Sequence, residues 1–532
     1  MRDAILLPEL IALSAERFPE APALTDDTGT YAYGHLQETI SRFSDGLIAL
    51  GIKRGERVAI YLEKRFETVV ASFGAPAAGA VFVPLNPLLK AEQVAYILRD
   101  CNVRILLTSA ERLPVLYDVL QTCADLRHVV VLDSPEPLPG SDSVNFVRWS
   151  ELLKQPSVAG HRVIDTDVVS ILYTSGSTGK PKGVVLSHRN MVAGAKSVAS
   201  YLDNCADDTL LAALPLSFDA GFSQLTTAFS VGARVVLLNY LLPRDVIKAL
   251  DREKVTGLTA VPPLYLQLVG LTWPESIAEH LRYFATTGGR MPRETLLALR
   301  QKLPKSKPFL MYGLTEAFRS TYLPPSEIDR RPDSIGKAIP NAEILVLRED
   351  GTECGPDETG ELVHRGALVG LGYWNDPEKT AERYKPLPIG VGGREAGMVL
   401  PEIAVFSGDN VRRDEEGFIY FVGRRDEMMK TSGYRVSPTE VEEIIYATKR
   451  VGECVAFGVD DDRLGQAIQV IATPPAGTDA VDVPALLAEC RNRMPAYMVP
   501  TGIEARNGPL PRNPNGKIDR KTLSTEWADK HS

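Results

Sequence analysis

The sequence predicts an α/β protein. It should have a large N-terminal domain of mostly parallel sheets flanked by helices, a β-barrel-like part, and a small C-terminal α/β domain. Three observations predict this. The chain has 532 residues, too many for one compact core, so two or more domains are expected. Over the first half, near-continuous apolar β-rich runs alternate with runs of helical period, the pattern of a parallel sheet covered on both faces. From about Ile335 the texture changes to short strands joined by Asp-Gly and Glu-Thr-Gly turns, which marks a β-rich part over about 335–425.

Taken in order, "RVAIYL" (Arg57–Leu62) reads as a strand and Ala91–Cys101 as a helix. Val103–Ser109 and His128–Leu132 are strands again. "VVSILY" continues the pattern before residue 174, as do Ala233–Leu238 and Gly257–Pro262. Thr68–Leu89 carries no charge and is long enough to cross a bilayer, but Gly74, Pro76, Gly79, Pro84 and Pro87 interrupt it. It is expected to be a buried helix, a turn and a buried strand. Tyr384–Pro401 is Pro/Gly-rich and irregular. Near Ser437, a candidate N-cap, a helix begins, and the alternation resumes to form the second domain over 426–532. No 20–50-residue repeat is present.

The net charge of −9 and pI near 5.5 argue against a nucleic-acid binder, which needs a basic face. The six cysteines are far apart and none has CxxC spacing, so neither a zinc site nor a redox pair is suggested. Scattered thiols and an N-terminus without a signal-peptide pattern lead to the expectation of a cytoplasmic protein with no membrane span.

Chemistry concentrates in "ILYTSGSTGKPKGVVLSHRN", Ile171–Asn190. A strand leads into a loop that places Thr174, Ser175, Ser177 and Thr178 among Gly176 and Gly179, with Lys180 and Lys182 close behind. Glycines aim backbone N–H groups inward, and hydroxyls and ammonium groups complete a phosphate grip. A Walker loop needs G-x4-G-K-[ST], and Pro181 occupies the place of its second glycine. A conventional P-loop NTPase is therefore disfavoured.

Further motifs follow in order: "YGLTEA" (Tyr312–Ala317), "SIGKAIP" (Ser334–Pro340), the run Ser407–Glu443 and "NPNGKIDRKTL" (Asn513–Leu523). Together they resemble the adenylate-forming superfamily of acyl-CoA synthetases, peptide-synthetase adenylation domains and luciferases, over nearly the whole chain. "LPLSFDAGFSQL" and "EMMKTSGYRVSPTEVEE" look closest to the acyl-CoA ligases associated with exosortase A systems. The resemblance implies an AMP-forming acid–thiol ligase. A carboxylate attacks the α-phosphate of ATP, and a thiol of CoA, or of the phosphopantetheine of a carrier protein, then takes the acyl group.

It also implies roles. Thr174, Ser175, Gly176, Ser177, Thr178, Gly179, Lys180 and Lys182 would hold phosphates. Glu316 would ligate Mg²⁺ and Thr315 touch phosphate. Tyr312, Gly313, Gly288, Gly289 and Ile335 would enclose adenine. Leu310 departs from the polar residue many members carry there. Asp409 would accept from both ribose hydroxyls, with Arg424 reinforcing, and Lys517 would reach the carboxylate and α-phosphate. Asp426 falls at the hinge of a mobile small domain, and Gly433 would line the thiol tunnel. Phe218, Asp219 and Gly289 would border the acid. Asp219 leaves two readings open: facing the pocket, it suits an amino or cationic acid; capping the next helix or pairing with an arginine, it suits a plain acyl chain. A luciferase-like oxygenase or a non-catalytic nucleotide-binding module, and a monomer or a homodimer, also stay open.

Overall fold

The computed structural model describes residues 2–134, 138–141, 143–174, 181–424, 427–431, 434–461, 464–513 and 516–531. Among these, a seven-stranded sheet runs Asn145–Arg148, His128–Leu132, Val103–Ser109, Arg57–Tyr61, Val81–Pro84, Val168–Thr174, Lys182–Ser187. All neighbours are parallel except the last pair. A second sheet is parallel through Lys307–Tyr312, Tyr283–Thr286, Gly257–Ala260, Thr209–Ala212, Arg234–Leu237 and Pro22–Asp26. From Lys307–Tyr312 it continues antiparallel through Thr321–Leu323, Ser334–Ala338, Ile419–Arg424, Ile403–Arg413, Thr359–Gly366 and Ala342–Leu347, the β-rich part expected from the turns.

The uncharged run resolves as expected. Phe66–Ala77 is a helix, Gly79 turns with φ +80°, and Val81–Pro84 is a buried strand. Their apolarity comes from a shared core between the two large sheets. Phe73 stacks on Phe222 at 5.7 Å, and Phe82 lies 4.8 Å from the same ring. Phe222 belongs to the helix Asp219–Val231, so this core also seats the helix that opens at the candidate acid pocket. Among the described residues, no helix is long and apolar enough to cross a membrane.

The C-terminal part has its own sheet, built from Met429–Thr431, Tyr434–Val436, Cys454–Asp461, Gly465–Ala472 and Gly502–Ala505. Helices Pro438–Ala447, Val483–Arg493 and Arg520–His531 accompany it. Ser437 does occupy the N-cap position, but its hydroxyl makes no capping bond and, among the described residues, is buried without a partner. Pro438 at the first helical position, with its preset φ, begins the helix instead. The part is held against the large domain by Arg290 with Glu443 and by Lys449 with Glu294 at 2.9 Å.

Candidate active site

Strand register builds one side of the site. Thr174 ends its strand directly opposite Lys182, which opens the next, so the two ends of the glycine-rich loop are pinned together. Ser175, Gly176, Ser177, Thr178, Gly179 and Lys180 lie outside the described residues, as do Asp426 and Gly433. The Lys182 ammonium sits 5.7 Å from the centre of the Tyr373 ring. The Tyr373 hydroxyl donates to Glu316 Oε1 at 2.5 Å. Burial, then the Glu316 charge, raises the Tyr373 pKa above its ordinary value. Glu316 stands in a 3₁₀ turn, Thr315–Ala317, and its carbonyl accepts from the Gly370 N–H at 2.8 Å. Its backbone is thus fixed, while one carboxylate oxygen is engaged by Tyr373. Tyr373 was not foreseen; only an aromatic in "LGYWNDP" marked it, and nothing local ties that aromatic to Glu316.

A second cluster forms where Ile403–Arg413 pairs with Ile419–Arg424, placing Asp409 opposite Arg424. Asp409 is buried, accepts from the Tyr312 hydroxyl at 2.5 Å, and has Arg424 Nε 3.2 Å from Oδ1. Among the described residues that Oδ1 still lacks a hydrogen-bond donor. Tyr312 and Ile335 pack into the same small core with Phe421, so the aromatic and its apolar neighbour are adjacent. Burial, then the Asp409 charge, pushes the Tyr312 pKa well up. Leu310 packs in the parallel sheet's core.

Gly288 has φ +76°, a conformation that favours glycine. A Cβ there would lie 3.3 Å from Val261 Cγ1 and 3.7 Å from Lys517 Cε. Gly289 lies against Pro262 and Gly313 against Arg319. Lys517 therefore reaches the Gly288 turn from the small domain. Lys517 is exposed as a residue, with Arg424, Asp409, Asp219 and Glu427 near enough to act on its ammonium. Burial lowers its pKa, Arg424 lowers it further, and Asp409, Asp219 and Glu427 oppose the shift.

The helix Asp219–Val231 does start at Asp219, with half-buried Phe218 at the N-cap position. Neither part of the capping-or-arginine alternative is realised. The Asp219 carboxylate caps no helix N–H; it accepts from Thr315 Oγ1 at 3.1 Å and acts on Lys517. The carboxylate thus faces Thr315, with the charge of Lys517 nearby.

A large sheet domain with a glycine-rich loop pinned at its ends, a buried Asp409 beside Arg424 and Tyr312, and a lysine delivered from the small domain fit a nucleotide-dependent ligase. The chain belongs to the AMP-binding enzyme family: that family's model matches residues 11–374, and the AMP-binding enzyme C-terminal domain matches residues 440–517. It is 29% identical over 553 residues to a long-chain-fatty-acid–CoA ligase of Salmonella typhimurium, covering 98% of this chain and 94% of that one. It is 28% identical over 547 residues to malpinin synthetase of Mortierella alpina, covering 99% of this chain but only 7% of that protein's length. Among solved structures, o-succinylbenzoate CoA synthetase of Bacillus subtilis with its acyl-adenylate matches at TM-score 0.80 and 26% identity, covering 97% of this chain and 98% of that one.

Proposed function

We propose that this chain activates a carboxylic acid with ATP, releasing pyrophosphate, and passes the acyl group to the thiol of CoA, releasing AMP. One observation carries the reading: Lys517 meets the Gly288 turn with Asp219, Asp409 and Arg424 acting on its charge. The chemical difficulty is an anionic nucleophile approaching a polyphosphate, and a fixed cation at the reacting atoms answers it.

The residues present fit ATP. Among the described residues Asp409 keeps a buried acceptor oxygen without a donor, as two ribose hydroxyls require. Tyr312, Ile335 and the side-chain-free Gly288, Gly289 and Gly313 would border the base, and Thr174 and Lys182 the β- and γ-phosphates with the loop between them. They also fit one Mg²⁺: Glu316 is a hard oxygen donor beside the loop ends, and the family's Bacillus subtilis relative has been seen with ATP and a magnesium ion. Bound there, the ion would supply neutralisation of phosphate charge.

For the second half-reaction the small domain would turn about Asp426, bringing Gly433 to a thiol tunnel. That motion requires Arg290–Glu443 and Lys449–Glu294 to separate. Because the Asp219 carboxylate accepts from Thr315 and lies near enough to Lys517 to act on its charge, a plain acid is favoured over an amino acid loaded onto a carrier protein. A cytoplasmic location and the exosortase-associated branch are part of the same proposal.

The test is product analysis with Mg-ATP, CoA and fatty, aryl and amino acids. Acid-dependent AMP and a CoA thioester are expected; acid-independent ADP formation would reject the reading.

A further inference from the structure

Between the helix Asp219–Val231 and the parallel strands lies a narrow cavity of about 10 Å³, room for about one water. Ala220, Ser223, Gln224, Thr227, Thr259 and Arg319 are among the residues in its wall. Arg319 is the unusual member. It is 2% exposed, and among the described residues no carboxylate lies within ion-pair distance of it. Among the described residues its guanidinium makes one hydrogen bond, from Nη1 to Thr287 Oγ1 at 2.8 Å, and its Nε is buried without a partner.

A buried guanidinium without an anion is costly, and proteins keep such a group only for a reason. Other arginines of this molecule show what its Nε/Nη2 edge is for. Arg54 holds Asp167 through that edge at 2.9 and 2.6 Å, and Arg365 holds Glu402 at 2.8 and 2.8 Å. In Arg319 the Nη1 side is used, and among the described residues the Nε of the carboxylate-binding edge has no partner. The backbone is bent to put it there: Phe318, an aromatic, adopts φ +58°, a conformation that side chains rarely take. Gly313 lets the turn close, since a Cβ would come 3.1 Å from Arg319 Cα. Thr287, the hydrogen-bond partner, directly precedes the Gly288 that meets Lys517, so the guanidinium adjoins the reacting end of the site.

We propose that the acid this chain activates carries a second carboxylate, and that Arg319 holds it bidentately while the first carboxylate reacts. Ser223 and Thr227 add hydroxyl donors on the same wall. A long monocarboxylic acid would instead press apolar atoms against an uncompensated charge. The inference rests on the acid-activating reading above.

The test is calorimetric binding to the full-length protein with Mg²⁺ and a non-hydrolysable ATP analogue. Succinate, glutarate and adipate are compared with butyrate, valerate and hexanoate, and acid-dependent ATP–pyrophosphate exchange is run alongside. At least one diacid should bind roughly tenfold or more tightly than its equal-length monoacid. Arg319→Gln should abolish the preference and Arg319→Lys keep part of it. Arg319→Met separates a ligand role from a structural one: it should raise Tm, because it removes a buried uncompensated charge, while losing the diacid preference. No diacid preference in the wild type, or a preference that survives Arg319→Gln, would overturn the inference. Exchange with monoacids in that case would leave the acid-activating reading standing.

Discussion

Gly221 sits in the first turn of the helix Asp219–Val231, where a Cβ would lie 1.8 Å from the Pro215 carbonyl oxygen and 2.6 Å from its carbon. Both atoms are backbone, so no rotamer can relieve the clash. For Gly221→Ala to fold, helix and loop must separate by about 1.2 Å to reach even a 3.0 Å contact. Overpacking of this kind costs about 1–3 kcal/mol or more. The same helix carries Asp219 toward Thr315 and Lys517, and Phe222 fixes its other side in the inter-sheet core. The shift therefore reaches the acid pocket. A displacement of about 1 Å at reacting groups lowers rate roughly 10²-fold. The assay is thermal unfolding together with acid-dependent ATP–pyrophosphate exchange, with Gly140→Ala as control because nothing lies within 4 Å of its Cβ. A fall in Tm and roughly 10²-fold slower exchange, with ATP KM little changed, is expected. Wild-type stability and exchange in Gly221→Ala would refute the packing reasoning.

Three further outcomes are expected. His188 and His364 are buried, and burial lowers their pKa values to about 4 and about 3. Each stabilises the fold above the unfolded value of about 6.5 and loses that contribution as pH falls toward its folded value, about 3 kcal/mol or more apiece; urea midpoints that stay constant from pH 7 to 5 would contradict this. Asp409→Asn removes the carboxylate that Tyr312 donates to, and ATP KM should rise roughly 10–100-fold for about 1–3 kcal/mol, read by titrating ATP at saturating acid. Because the Lys517 pKa is lowered, its ammonium is lost as pH rises at a value below the ordinary 10.5, so the alkaline limb of adenylation lies there. Asp219→Asn removes an opposing anion and should move that limb lower still, and a limb that moves upward would be inconsistent with the geometry.

How much the sequence revealed depends on how local each signal was. Strands such as Val103–Ser109 and His128–Leu132 were legible residue by residue, because burial on both faces demands an unbroken apolar run. The uncharged Thr68–Leu89 run was legible because Pro and Gly punctuate it. Lys517 in an Asn-Gly turn was visible only through the ordered motifs, since alone it reads as a surface lysine. Asp219 was ambiguous for a physical reason: a helix does begin there, yet its carboxylate turns to Thr315, and that choice depends on a residue 96 positions away. Ser437 had the right type and place for a cap, but its hydroxyl packs beside Gly423 and among the described residues makes no bond. Tyr373 and Arg319 were missed because their meaning lies in long-range partners: Glu316 for Tyr373, and for Arg319 Thr287 with no carboxylate among the described residues.

The most direct test of the central claim is acid-dependent ATP–pyrophosphate exchange with Mg²⁺ in the wild type and in Lys517→Ala. Exchange with at least one acid class, reduced roughly 10²–10³-fold in the variant for a loss of about 3–4 kcal/mol, is the predicted result. Exchange of equal rate in both proteins would contradict it, since the cation at the Gly288 turn would then contribute nothing to the reacting atoms.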